Sequence, residues 1–168
     1  MVDYNKVILG TGSYDTVNSG NTVSITGDGG HAWNYFGRAY KKLAPKLDTY
    51  EAYASKLAIL NELKDNLIEY NSYRKQIENE YIESYYNTRL KDIYVYDLLD
   101  ELHTRFGNNI ILLCHEPIDE FCHRRVLADY IELETGIYIP EISVDKDYNI
   151  TKHVPIRYKN RLFKVINK

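Results

Sequence analysis

The sequence predicts an α/β fold: a mainly parallel sheet, a helical insertion over about residues 49–88 and a β-hairpin tail. Three observations carry this expectation. Short β-branched runs near the N-terminus each lead into glycine-rich segments, long stretches with helical apolar spacing follow, and a strand–loop–helix pattern recurs at 110–134. The length of 168 residues suits one domain with its own core. Residues 146–168 are expected to be a C-terminal extension of it.

Taken in order, KVIL (6–9) reads as a first strand ending in the loop GTGSYDT (10–16). TVSIT (22–26) reads as a second, ending in GDGG (27–30). Asp48 followed by Glu51 resembles a capping box opening a helix that carries Tyr53, Leu57, Leu60, Lys64 and Leu67 at helical spacing. Ile77, Tyr81 and Tyr85 mark a second helix. A third, about 93–106, places Val95, Leu98, Leu99, Leu102 and Phe106 on one side, with Gly107 as its C-terminal cap. Strand 110–114 and helix 120–134 follow, the helix stopped by Gly136. Residues 137–144 read as another strand with Pro140 at an edge or irregular start, and a hairpin is expected around Tyr158–Arg161.

Composition narrows the function classes. Hydrophobic content of 44% and charged content of 27% exclude a disordered chain. A formal net charge of −3 removes the global basic field that extended nucleic acid would require. Two cysteines cannot staple a disulfide scaffold, no apolar run approaches membrane-spanning length, and no signal peptide is read at the start. A cytoplasmic protein with reduced thiols and no membrane partner is the expectation. Seventeen tyrosines, amphipathic by nature, favour half-buried positions and a homodimer interface.

The densest chemistry lies in LLCHEPIDEFCHRR (112–125), which holds both cysteines and two of the five histidines. A strand end followed by a helix start is where α/β folds bind ligands, and helix N-termini favour anions. Projected at helical spacing, Val126, Leu127, Tyr130, Ile131 and Leu133 form the apolar face with His123 near its centre. Cys122 and Arg124 border it, while Arg125, Asp129 and Glu132 fall on the opposite, solvated side. Arg124 either clamps an anionic ligand or pairs internally with Glu116 or Glu141. Cys122, at a helix N-terminus beside arginines, has the setting of a lowered thiol pKa, although a cysteine here more often only packs. Cys114 reads first as packing. Glu116 is the best acid/base candidate, since apolar walls raise a carboxyl towards neutrality. Cys114, His115, Cys122 and His123 supply zinc-type atoms, but adjacent pairs in a C-H-x6-C-H spacing seldom converge, so no metal is expected. The two glycine loops could cradle phosphates, with Ser13 and Tyr14 as ligand contacts, although neither matches a nucleotide fingerprint. His31, Trp33 and Tyr35 could stack on a planar ring.

Leu112, Leu113, Cys114 and Glu116, then Cys122, His123 and Arg124, make this stretch resemble a known family, domain-of-unknown-function family 488. The likeness extends through TGSY, VSIT, Leu43-Ala44-Pro45, EYIESYYNTRL (80–90) and Glu141. It implies a Rossmann-like fold with no assigned reaction, and links to nucleic-acid base modification, often in phages. Members often carry lysine after the glutamate; Pro117 stands there here, and GDGG also diverges.

Together these readings lead to one expectation: a nucleotide or nucleotide-derived anion binds at the strand ends. Ser13, Tyr14, Cys114, Arg124 and Glu141 would hold it. Glu116, Cys122 and His123 would carry any cleavage or transfer at a base or glycosidic bond. No cofactor is implied. The alternative is a non-catalytic protein, phage-encoded in one version, that sequesters a signalling nucleotide as a counter-defence.

Overall fold

The computed structural model describes residues 1–32 and 34–168; the expected stacking role of Trp33 lies outside the described residues. Five strands form the main sheet in the order β2 (Asn21–Ser24), β5 (Ile110–Cys114), β1 (Ile8–Ser13), β6 (Glu141–Val144), β7 (Ile150–His153). The first four run parallel, and β7 returns antiparallel to β6. A short antiparallel pair, β3 (His31–Ala32) with β4 (Tyr35–Phe36), stands apart from it. The mainly parallel α/β expectation is met.

β5 is apolar throughout and buried at every position, as a strand covered on both faces must be. Its register aligns the strand ends. Ser13 aligns with Cys114 and Ser24 with Leu113, so the carboxyl ends of β1, β5 and β2 meet at one rim. α3 (Val95–Phe106) buries Val95, Leu98, Leu99 and Leu102, and Gly107 closes it at φ 83°. α4 (His123–Thr135) ends at Gly136 in the left-handed conformation.

α1 (Leu47–Glu62) and α2 (Leu67–Thr88) form an antiparallel helical pair inserted between β4 and β5. Asn66 caps α2 by accepting from the Glu69 amide at 3.2 Å. Asp48 is not the cap of α1. The helix begins one residue earlier, behind Lys46, and Asp48 lies in its first turn, where its charge suits the helix dipole. α1 also ends before Lys64, and Leu67 starts the next helix.

Three other expectations change. GTGSYDT is not a loop at its start: Gly10, Thr11, Gly12 and Ser13 continue β1. The glycines are needed because neighbours crowd the strand. A Cβ on Gly12 would stand 2.5 Å from Val17 Cγ2 and 2.8 Å from the Ile142 carbonyl. Around Tyr158–Arg161 there is no hairpin turn; α5 (Lys159–Ile166) begins there, and the hairpin lies earlier, between β6 and β7. α5 and its approach then cover the side of α4 read as solvated. Arg125 and Asp129 are 2% and 1% exposed and do not pair as a surface couple. Arg125 donates to Thr11 Oγ1 and the Ile139 carbonyl, both at 2.8 Å. Asp129 accepts from Arg157 at 3.0 Å and from the Tyr158 amide at 2.5 Å.

No helix among the described residues is long and apolar enough to cross a membrane.

Candidate functional site

A cleft of about 670 Å³ opens over the carboxyl ends of β2 and β5, walled by the face of α1. That volume suits a small molecule. Its apolar wall is Pro45, Leu47, Tyr50, Tyr53, Ala54 and Leu57, joined by Tyr81 and Phe121. Its polar rim is Thr26, Gly27, Asp28, His115 and Glu116, and its floor is Cys122 and His123. Among the described residues no lysine or arginine lines it.

The floor is built by the turn from β5 into α4. Cys122 is the N-cap residue of α4, and no side chain caps that end. Its thiol therefore sits beside the positive end of the helix dipole and the free first-turn amides. The Cys122 sulfur shares a hydrogen bond with Glu116 Oε2 across 3.2 Å and lies 4.0 Å from His123 Nδ1. His123 Nε2–H donates to the Ile25 carbonyl at 2.7 Å, which fixes the tautomer and leaves Nδ1 bare on the thiol side. Cys114 Sγ stands 3.4 Å from Nε2 and 3.8 Å from Nδ1 of the same ring. Tyr85 packs edge-on against that imidazole at 5.7 Å, and its hydroxyl is anchored on the Leu43 carbonyl.

The electrostatics separate the two thiols. Burial pushes Cys114 well above the ordinary thiol value. Burial acts on Cys122 too, but the hydrogen bond from Cys114, the Arg124 guanidinium and His123 outweigh it and hold Cys122 well below. Burial followed by the charge of Cys122 raises Glu116 to about 8. His123 is raised as well, because its hydrogen bond and charge interaction with Cys122 exceed its own burial penalty. The floor thus sets a thiol of lowered pKa beside a carboxyl that keeps its proton up to about pH 8.

The other expected residues lie behind this floor. Arg124 is fully buried and takes the internal alternative: its Nε and Nη2 grip Glu141 at 3.1, 3.1 and 2.6 Å, and Nη1 donates to the Glu116 carbonyl at 2.9 Å. Thr11 adds a hydroxyl to Glu141 at 2.6 Å. With both partners' faces filled, neither Arg124 nor Glu141 reaches the cleft. They lock the β5–α4 turn to β6. Ser13 is buried with its hydroxyl 3.4 Å from the His115 carbonyl. Tyr14 is also buried; its hydroxyl bonds Ser24 and Thr26 at 2.6 and 2.8 Å, and its ring stacks on Tyr35 at 4.8 Å. These two shape the rim without lining it. His31 packs edge-on with Phe36 instead. His115 pairs with Asp28, which leaves three of the four zinc-type residues together: Cys114, Cys122 and His123, within 4.8 Å of one another.

Sequence reasoning did not find the aromatic wall. The signal was present, because Tyr50, Tyr53, Ala54 and Leu57 share one helical face. The pattern alone marks an amphipathic helix, which could cover a pocket or form an interface between copies; in the fold Tyr50 and Leu57 are exposed to the cleft.

Fold and site together define a mainly parallel α/β protein with a buried cysteine on the floor of an aromatic cleft at the strand ends. The chain belongs to the family Domain of unknown function DUF488, whose model matches residues 33–131, well over half its length. The match includes Cys114, Glu116, Cys122, His123 and Arg124 and stops short of Ser13, Tyr14 and Glu141. No curated protein and no solved structure matches the chain.

Proposed function

We propose that this protein is a thiol-dependent enzyme acting on a small molecule that carries a planar heterocycle, such as the base of a nucleotide-type compound. One observation carries the reading. The thiol with the lowered pKa is the one that lines the cleft, beside a carboxyl raised to about 8. Cys122 Sγ attacks an electrophilic carbon bonded to the heterocycle. The S–C bond forms, the C–N bond breaks, and its electron pair leaves with the ring nitrogen. Glu116 supplies the proton that nitrogen needs, and as a carboxylate then takes a proton from the water that hydrolyses the thio-intermediate. His123 balances the thiolate charge before attack. Tyr50, Tyr53, Tyr81 and Phe121 are placed to stack on the ring. With no lysine or arginine among the described lining residues, anionic parts of the substrate face the mouth of the cleft.

The test is depletion of metabolites from a cell extract by wild type, Cys122→Ser and Glu116→Gln, followed by mass spectrometry. Consumption of a heterocyclic compound by wild type, lost in Cys122→Ser, supports the proposal. Equal turnover by Cys122→Ser refutes it. Recovery of the same intact ligand from wild type and variants refutes it too, in favour of a sequestering protein.

A further inference from the structure

We propose that Cys114, Cys122 and His123 form a binding site for a soft divalent cation of the zinc class, with Glu116 as fourth ligand. The residue types are those zinc prefers, and around a tetrahedral ion with Zn–S of about 2.3 Å and Zn–N of about 2.0 Å neighbouring ligand atoms stand roughly 3.5–3.8 Å apart. Here the edge from Cys114 Sγ to His123 Nδ1 is 3.8 Å and that from Cys122 Sγ is 4.0 Å. Glu116 Oε2 lies 3.2 Å from Cys122 Sγ. The two sulfur–nitrogen edges need to contract by up to about 0.5 Å, and all three ligand atoms already lie within 4.8 Å of one another.

The second shell points the same way. His123 Nε2–H is held by the Ile25 carbonyl at 2.7 Å inside the core. A ligating histidine characteristically donates its other ring N–H to such a carbonyl, which orients the ring and keeps the ligating nitrogen unprotonated. Two thiolates neutralise a dication, and the one negative charge that Glu116 adds stands beside the positive end of the α4 dipole and the nearby Arg124 guanidinium. An entry path exists, since Cys122, His123 and Glu116 line the cleft and Cys114 sits just behind them. The spacing argument against zinc required both adjacent Cys-His pairs to converge. The fold needs only three of the four, and turns His115 outward to Asp28.

Bound metal would occupy the sulfur lone pairs of Cys122, so loading silences the thiol. That consequence rests on the function proposed above; the binding itself does not. The experiment is titration of chelator-stripped protein with Zn²⁺ against a chromophoric chelator, paired with Cd²⁺ titration read by the ultraviolet thiolate-to-metal charge-transfer band. One ion per chain and a charge-transfer band are expected. Cys114→Ser and Cys122→Ser should each weaken binding by about 100-fold or more, and Glu116→Gln by about 10-fold. Thermal melts establish that each variant is folded. The band reports thiolate ligation in the wild type alone, so a variant that fails to fold does not blunt the test. Absence of the band, or Zn²⁺ affinity unchanged in folded serine variants, overturns the site. Turnover and alkylation of the stripped protein are read separately, so failure of the metal site is distinguishable from failure of the catalytic reading.

Discussion

Replacing Arg124 with Met separates the ligand-clamp and internal-pair readings of the Cys-His-Arg motif. Arg124 is 0% exposed and its partner Glu141 1%. Three hydrogen bonds join them, Thr11 donates a fourth to Glu141, and the Glu116 carbonyl accepts from Arg124 Nη1. Removing the guanidinium strands a carboxylate with no route to water. Breaking one partner of such a pair costs about 3–5 kcal/mol, far more than the net worth of the pair. For a chain of this size that corresponds to a fall in melting temperature of roughly 6–20 °C. Glu141→Met should cost a similar amount by stranding the cation. The double variant Arg124→Met/Glu141→Met should cost less than the sum of the two by about 2–3 kcal/mol, since neither charge is then left alone. Urea denaturation of the four proteins measures this cycle. Single-variant costs below about 1 kcal/mol, or strict additivity, would refute the reasoning and return Arg124 to the role of ligand clamp.

Other outcomes follow from the same geometry. Gly12→Ala should destabilise by about 1–3 kcal/mol, because its Cβ meets Val17 and the Ile142 carbonyl within 2.8 Å; unchanged urea midpoints would contradict the strand reading of this segment. Tyr50→Ala and Leu57→Ala, both exposed on the cleft wall, should raise KM several-fold while shifting stability by less than about 0.5 kcal/mol; a lower melting temperature with unchanged KM would place them in the core instead. Burial pushes the phenols of Tyr14, Tyr53 and Tyr130 up to about 12. Their protons stay on in the folded chain when the unfolded chain has lost them. The stability they contribute is therefore complete below about pH 10 and is lost as pH rises from there through 12. Ultraviolet titration should show a late-ionising tyrosine fraction that joins the rest on unfolding, and a single native transition near pH 10 would contradict it.

The sequence made some parts legible because they depend on local periodicity alone. α3, β5 and the stop at Gly136 are of this kind: one apolar face, one buried run, one left-handed cap. The errors share a different cause. Gly10 and Gly12 look like loop glycines until β6 is known to press against β1. Arg125 looks solvated until β1 and the Ile139 carbonyl meet it, and Asp129 until the approach to α5 closes over α4, contacts between segments distant in the chain. Asp48 resembles a cap by spacing, but the helix starts directly after Pro45-Lys46, since the fixed backbone of proline suits the entry to a helix. In the site, Glu116, Cys122 and His123 were readable because a strand end and a helix start lie close in sequence. The Ile25 carbonyl that orients His123 and the α1 wall that completes the cleft come from distant segments, which no local pattern reports.

The central claim is that Cys122, and not Cys114, is the reactive thiol of the cleft. Brief iodoacetamide treatment of metal-free native protein across pH 5 to 9, with peptide mapping by mass spectrometry, tests it most directly. The account predicts labelling of Cys122 that persists below the ordinary thiol range of about 8.5, with Cys114 silent until the protein unfolds. Labelling of Cys114 first, or of neither thiol before unfolding, would contradict it.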